Sequence, residues 1–498
     1  METVAILATL ISGGVYLALG LGLGRRTKGL GDHLPVTHGR LARVANPKEF
    51  SASTVAASIS LATVVMYFFE AGPYFGLWLL WTVLTTAVGF ILVRVAARKI
   101  WDKMLSYEPH RPTLHEFLGT EYGSKHVGLI GAACTSLGFL GAFAVELTVG
   151  SRFLANLVPS VPALAVVFGL ALISLTYTSA GGFRAVIVTD RMQMRSIWIM
   201  LLALLAFYAV FIWTHGGWLP AIDQVPSAMK DFSWREGLSA FLIGISIINV
   251  PTYIADMSMW QRFAGSQDRH SVFSGLWRSV GGASLTWTLF IVLACLAPAI
   301  VTLSQNENPL LTLLNYMGTS GVFGLAILFL VILGLYGAMF STASTQLVAV
   351  SHTIHTDILR RQSAAIEGGD ANSKREVRIS RIIICTTAMV AMFFVEILTA
   401  AGFSIADLIF AVYGAQLGLF PPTLLALHLS REKLKRLAPW ITFAISSGFV
   451  LGWSMAGYGR YVGDANLVFL APLMSLLVSS LATALGWCYS KTIYQEAV

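Results

Sequence analysis

Phe340-Ser341-Thr342-Ala343-Ser344-Thr345-Gln346 places four hydroxyls within five consecutive positions, inside an apolar run long enough to cross a membrane. On a helix, positions 341, 344 and 345 share one face, with 342 beside them. Uncharged oxygens that converge on one point suit a hard cation such as Na⁺. Hydroxyls in spanning helices also bond back to their own backbone or join neighbouring helices, and an isolated Ser-Thr pair reads that way first. Four in five positions exceed what packing alone needs. An acidic partner and an interrupted helix elsewhere would complete a cation site.

The 498 residues are only 12% charged and have a mean hydropathy of +0.72, which excludes a soluble globule with a solvated exterior. The fold class is an all-α polytopic membrane protein, in contact with the lipid bilayer over most of its length. Apolar runs able to cross about 30 Å of hydrocarbon fall near 4–24, 49–71, 75–97, 127–157, 162–180, 186–214, 237–260, 275–302, 322–350, 378–400, 404–428, 437–457 and 467–489, about thirteen spans. Cys134, Cys295, Cys385 and Cys488 all sit in such runs without metal-ligand spacing, and read as small packing residues.

The formal net charge of +8 has a topological explanation. Arg25, Arg26 and Lys28 follow the first span, which carries no small-residue cleavage site and reads as a retained helix. With that loop in the cytoplasm, the alternate loops hold Arg98, Lys99 and Lys103; Arg184, Arg191 and Arg195; Arg262 and Arg269; Arg360, Arg361, Lys374 and Arg375; and Arg431, Lys433, Lys435 and Arg436. The opposite loops hold Lys230, Arg235 and Arg460. The amino terminus is therefore expected outside and the carboxyl terminus in the cytoplasm, in the inner (cell) membrane. No charge is left over for a nucleic-acid partner. The polar segments around 25–48, 102–125 and 361–377 are too short for a core of their own, so residues 1–498 read as one transmembrane domain, with Glu367-Gly368-Gly369-Asp370-Ala371-Asn372-Ser373 as a flexible linker.

Span two, from Phe50 through Thr63, is rich in small and polar residues and ends in Met66-Tyr67-Phe68-Phe69-Glu70-Ala71-Gly72-Pro73. Small residues admit a close neighbour, and Gly72-Pro73 makes an unwound end plausible, from which released carbonyls would complete a cation site.

After span five comes Tyr177-Thr178-Ser179-Ala180-Gly181-Gly182-Phe183-Arg184-Ala185-Val186-Ile187-Val188-Thr189-Asp190-Arg191-Met192-Gln193. A Gly-Gly turn, a basic residue before Ala-Val, Thr-Asp, and Gln three residues on resemble the signature of the sodium/solute symporter family. Ala255-Asp256-Met257-Ser258-Met259-Trp260-Gln261-Arg262 resembles that family's Asp-Gln…Gln-Arg segment, with Met257 departing from the usual Gln. The hydroxyl stretch, with Gln346-Leu347 and Thr356-Asp357-Ile358 downstream, is similar to the eighth core helix of the proline and pantothenate branch. Ser404-Ile405-Ala406-Asp407-Leu408 through Gly418 is similar to its tenth core helix.

The resemblance implies a core of two inverted five-helix repeats, about 49–214 and 237–428, with peripheral helices 4–24, 437–457 and 467–489. The first helix of each repeat is interrupted, and ligands sit near mid-membrane between the breaks. It also implies a first sodium site on the carbonyls of Ala56, Ile59 and Ala338 and the hydroxyls of Ser341 and Thr342. Members with a second sodium match Asp190, Ser344 and Thr345. From the residues themselves Asp190 has an equal alternative, pairing with Arg184, Arg191 or Arg195 at a helix end.

For a solute, Asn249 falls where the sugar branch carries a ligand-binding Asn, followed by Pro251, Thr252 and Tyr253 as a break and aromatic gate. Met66, Tyr67 and Glu70 lie where the first core helix is expected to open, and Tyr413 and Gln416 lie on the tenth. A lone helical Asn more often bonds between helices. Glu70 and Glu146 hint at a cationic solute, although Glu146 also resembles a Glu of sugar-type members. Span four lacks the buried arginine by which the family's sialic acid transporters hold a carboxylate.

The expected function is sodium-coupled symport of a small organic solute into the cell by alternating access, with Na⁺ and the solute as partners and no enzymatic activity. A proton in place of Na⁺ remains open. One alternative is a membrane sensor that binds solute on the same scaffold without moving it; the sequence closes at Val498 shortly after the last span, and an output domain is not expected. The other is an intramembrane enzyme built on His352 and His355 near Ser351 and Asp357, which read more simply as helix-end residues.

Overall fold

The computed structural model describes residues 1–25, 27, 29–35, 45–107, 110–303, 308–359, 369–402 and 404–496, and these are helical almost throughout. Among the described residues the extended pairing is one isolated bridge, between Ala45 and Ser266. Arg26, Lys28, Arg360, Arg361 and the start of the 367–373 linker lie outside the described residues.

Helix α1 (Glu2–Gly24) precedes the first interrupted helix. That helix begins with α2 (Pro47–Ser58), whose start is set locally. The Asn46 side chain accepts from the N–H groups of Lys48 (2.9 Å) and Glu49 (3.0 Å), and the Glu49 carboxylate accepts from the Asn46 N–H (3.1 Å), with Pro47 at the first helical position. The break comes at Ile59 (φ −99°, ψ 74°) and Ser60 (φ −71°, ψ 143°). A wide π turn over Leu61–Met66 restarts the helix with the Ser60 hydroxyl accepting from the Thr63 N–H (2.8 Å), and α3 (Tyr67–Phe75) continues it. Gly72-Pro73 lies inside α3, not at an unwound end. Pro73 is the seventh of the nine residues and removes the N–H that would bond one turn back; the helix ends soon after it, at Gly76 (φ 52°).

Helices α4 (Leu80–Leu105), α5 (Leu114–Glu121), α6 (Lys125–Leu157) and α7 (Ala163–Thr214) follow. The second interrupted helix is α8 (Leu238–Asn249), α9 (Thr252–Ala255) and α10 (Met257–Ala264). Pro251 cannot donate to the preceding turn, and Asp256 (φ −88°, ψ 118°) caps α10 by accepting from the N–H groups of Ser258 (2.6 Å) and Met259 (3.1 Å). Then come α11 (Arg269–Leu296), α12 (Gly321–Thr353), α13 (Gly369–Ala400), α14 (Ile405–Ala415), α15 (Phe420–His428), α16 (Ala438–Val462) and α17 (Ala465–Glu496).

Among the described residues eleven stretches are long and apolar enough to cross a membrane. Two of them, Leu61–Leu105 and Ala163–Thr214, contain 45 and 52 residues, which as straight helices would extend about 68 and about 78 Å, well beyond one bilayer. Each contains a glycine at positive φ, Gly76 (52°) and Gly182 (58°), the second being the Gly-Gly turn of the motif. The expected count of about thirteen exceeds eleven by two, and the difference lies in these stretches.

Side-chain contacts join several of the loop charges to neighbouring segments. Lys103 and Arg431 both reach the buried Glu121 (2.6 and 2.9 Å), and Arg381 donates to the carbonyls of Ser179 (2.9 Å) and Ala180 (3.1 Å). At other loops, Arg235 donates to Tyr74 O (2.6 Å) and Arg460 to Gly402 O (2.9 Å). Arg262 departs from the charge pattern of the sequence: it is 3% exposed, inside the protein, and no loop charge at all.

Candidate functional site

The break after α2 leaves backbone carbonyls without the N–H groups of a continuing helix, and α12 lies against them. The Ser341 hydroxyl is 2.8 Å from Ala56 O and 3.0 Å from Ala338 O. The Thr342 hydroxyl is 3.3 Å from Ala338 O and 3.4 Å from Ala57 O. Each hydroxyl can donate to one carbonyl at a time, so lone pairs from two helices face a common point. Of the five expected first-site positions, Ala56, Ala338, Ser341 and Thr342 are joined by these contacts. Ile59 sits at the break itself, its side chain fully buried. Ala57, not anticipated, adds a carbonyl. Close approach of α12 to α7 depends on Gly337, where a Cβ would fall 2.3 Å from Ser196 Oγ.

One turn before Ala56 on α2, Ser53 donates to Asp190 Oδ2 (2.5 Å), while Asp190 Oδ1 is buried without a hydrogen-bond partner. The three arginines considered as Asp190 partners do not pair with it. Arg191 lies 4.0 Å from Glu49, Arg195 donates to Met192 Sδ, and Arg184 is not within ion-pair distance of it. The guanidinium nearby is Arg262. Its Nε donates to Ser53 Oγ (3.1 Å), Nη1 to Ser258 O and Oγ (both 3.1 Å), and Nη2 to Ser53 O (3.3 Å) and Thr345 Oγ1 (3.1 Å). Thr345 and Asp190 are thus linked through Arg262 and Ser53. Ser344 donates to Ser341 O (3.2 Å), within the same helix.

Between the two breaks lies a cavity of about 140 Å³. Ser58, Ser60 and Thr63 line it from the first interrupted helix, Asn249, Tyr253 and Asp256 from the second, and Tyr413 from α14. Of the expected solute residues, Asn249, Tyr253 and Tyr67 reach this cavity; Met66, Glu70 and Gln416 are not on its lining. The Met66 carbonyl accepts from Asn308 (3.0 Å), and Gln416 packs at Gly138, where a Cβ would meet its Nε2. Asn249 also bonds between helices, its Nδ2 donating to Thr85 Oγ1 (3.1 Å). Tyr253 stacks on Phe90 with ring centroids 4.3 Å apart.

Glu146 reaches the first break from α6. It is 1% exposed and accepts from the Ser60 hydroxyl. A carboxylate at the start of the restarted turn complements the partial positive charge of a helix amino terminus. Ser53 and Ser60 carry no isolated sequence signal, and Asp256 and Arg262 mark a family-like segment without revealing that they face the site. Ser53 precedes Ala56 by one helical turn, and Arg262 closes the Gln-Arg segment, which are the signals that would have found them.

Ser351, His352, His355 and Asp357 do not converge. Ser351 bonds Ser380 (2.9 Å), His352 Gln261 (3.0 Å), His355 Glu376 (3.0 Å), and Asp357 both His115 (3.0 Å) and Thr113 (2.5 Å). A nucleophile and base held together are not formed by these four.

A family profile described as the sodium:solute symporter family matches residues 50–435. No curated protein sequence matches the chain. Among solved structures, a substrate-bound, outward-open Na⁺-coupled sialic acid symporter superposes with a TM-score of 0.72 at 13% identity, covering 97% of each chain. A manganese transporter of Eremococcus coleocola gives 0.52 at 13% identity over 92% of this chain and all of its own. Mhp1 in its inward-facing conformation gives 0.51 at 12% identity, over 92% and 94%. At these identities the likeness is one of fold: a five-plus-five inverted-repeat core with two broken helices.

Proposed function

The chain belongs to the sodium:solute symporter family, and from that premise we propose that it imports a small organic solute together with Na⁺ across the cell membrane by alternating access. Sodium-coupled transport is the family's property. The direction, the solute and the ion count are the proposal.

The observation that carries it is the meeting of Ser341 and Thr342 with the carbonyls of Ala56, Ala57 and Ala338 across the first break. A dehydrated Na⁺ at that point, with Ile59 O as a further ligand, holds α12 against α2. Its departure lets them separate. Occupancy therefore biases which side of the cavity is open, and the ion acts through its different affinity for the two states.

A second Na⁺ is proposed on Asp190, Ser344 and Thr345. One Na⁺ moving through 100 mV supplies about 2.3 kcal/mol, and a tenfold concentration ratio about 1.4. One ion therefore sustains a solute gradient of roughly several hundredfold, and two sustain on the order of 10⁵. The orientation proposed from the loop charges, amino terminus outside and carboxyl terminus in the cytoplasm, makes the Ala45–Ser266 face the inner one. The division into 49–214 and 237–428, in one domain with thirteen crossings, follows the same scheme.

Uptake into proteoliposomes under an imposed sodium gradient tests the function. The expected result is accumulation that requires Na⁺, that choline does not support, and that falls more than tenfold in Ser341→Ala and Thr342→Ala. Equal flux in choline excludes sodium coupling, and solute binding without counterflow identifies a sensor on the same scaffold.

A further inference from the structure

Arg262 is a full charge held by neutral oxygens. All five of its N–H groups are placed, on Ser53, Ser258 and Thr345, and its carboxylate partner Asp190 is reached only through the Ser53 hydroxyl. A guanidinium binds a carboxylate best in a direct two-point contact, and that contact is not made here. Asp190 keeps one buried oxygen without a partner. Arg262 also borders the cavity between the two breaks.

We propose that Arg262 exchanges partners during transport: Na⁺ bound by Asp190, Ser344 and Thr345 releases the guanidinium from Thr345, and the released guanidinium receives a carboxylate group of the solute. The inference rests on the function proposed above and adds the solute's chemical class, a small carboxylate.

Charge balance makes the two events depend on each other. Asp190 and Arg262 neutralise one another through Ser53 before either ligand arrives. Na⁺ alone compensates Asp190 and leaves the buried guanidinium with only the charge of Asp256 beyond direct ion-pair contact, while a carboxylate alone draws the guanidinium away and leaves Asp190 exposed to the low-dielectric interior. Both states are disfavoured, and in the doubly occupied one Asp190 and Arg262 each have an opposite charge in direct contact. By linkage, each ligand raises the affinity of the other by the same factor. Asp256 borders the same cavity and caps α10 through one oxygen. Its charge disfavours a second anionic group on the solute, and the cavity of about 140 Å³ limits the solute's size.

The test uses the full-length protein in nanodiscs. Thermal shift is read for acetate, lactate, pyruvate, alanine and proline, for the corresponding amides, and for uncharged sugars, each titrated with NaCl and with choline chloride. In the wild-type protein at least one carboxylate is expected to lower the sodium midpoint about tenfold, its amide to have no effect, and choline to support no shift. In Arg262→Gln that response is lost, and sodium alone binds about tenfold more tightly, because Asp190 and Thr345 no longer serve the guanidinium. A panel in which no carboxylate lowers the wild-type sodium midpoint overturns the proposal, whatever the variant does. So does a folded Arg262→Gln protein with unchanged sodium and carboxylate responses. A sodium-dependent shift by an uncharged solute alone removes the carboxylate and leaves sodium coupling standing; absence of any sodium effect on the wild-type protein removes both.

Discussion

Ser60, the second residue of the first helix break, donates its hydroxyl to the carboxylate of Glu146 on the neighbouring helix α6. The same oxygen accepts from the Thr63 N–H (2.8 Å), so one side chain both restarts the helix and ties the break to its surroundings. The break is held open by a buried acceptor supplied from elsewhere in the chain.

Removing that acceptor is expected to loosen the break. Glu146→Ala leaves the Ser60 hydroxyl buried without it, and stability should fall by about 1–3 kcal/mol. Glu146→Gln, which keeps an acceptor oxygen, should lose much less. Chemical denaturation in detergent, with sodium-dependent uptake measured alongside, distinguishes them; equal stability of the two variants would show that Ser60 does not need the carboxyl group.

Asp190→Ala should bring the Hill coefficient for sodium from near two toward one. The same variant should accumulate solute roughly several hundredfold at most, instead of the order of 10⁵ that two ions permit. An unchanged coefficient removes the second ion and leaves the first site untouched.

Gly89 lies on α4 where a Cβ would fall 2.2 Å from the carbonyl oxygen of Asn249, at the second break. Gly89→Ala should therefore force α4 away from that break, at a cost of about 1–3 kcal/mol, and reduce transport with it. Gly281→Ala, on a helix position with nothing within 4 Å of a Cβ, is the control and should be neutral. Parallel melting curves for the two variants would contradict the tight approach.

Glu121 gives a pH dependence of known sign. Burial pushes its carboxyl up, and the hydrogen bonds and charges of Lys103 and Arg431 outweigh that push and hold it below the usual carboxylate range. A lowered value in the folded state contributes stability above the ordinary carboxylate range, and the contribution is lost as pH falls through the lowered value. Lys103 and Arg431 are 29% and 50% exposed, so solvent screening limits the effect to about 1 kcal/mol. Wild-type protein should exceed Glu121→Gln by that amount at neutral pH, with the gap closing in acid.

Hydropathy alone carried most of the architecture, because membrane-length apolar runs and basic loops are local properties. The turn at Gly182 was legible for the same reason: a Gly-Gly pair between two apolar runs marks a backbone position that needs positive φ. The first break was misplaced because Gly72-Pro73 is a strong local signal, whereas Ile59-Ser60 is opened by Glu146, 86 residues further along the chain. Arg262 reads as a loop charge in the sequence for a related reason. A basic residue at the end of an apolar run looks the same whether water or two neighbouring helices receive it, and the receiving oxygens on Ser53 and Thr345 come from other segments. Position along their helices puts Met66, Glu70 and Gln416 near the cavity, but the direction of a side chain depends on local winding, which changes at the wide turn over Leu61–Met66 for the first two and at the tight turn over Gln416–Leu419 for the third.

The bridge at Ala45 is made of main chain only: its N–H donates to Gly265 O (3.2 Å) and its carbonyl accepts from the Gln267 N–H (3.1 Å). This seam clasps the start of α2 to the end of α10 without using any side chain. Position 267 is exposed and can therefore drift through almost any residue type and keep the clasp, whereas Ala45 is fully buried and admits only small side chains; proline, which deletes the amide hydrogen, unpicks the seam at either position. Random mutagenesis should return a tolerant spectrum lacking only proline at codon 267, and small residues alone at codon 45.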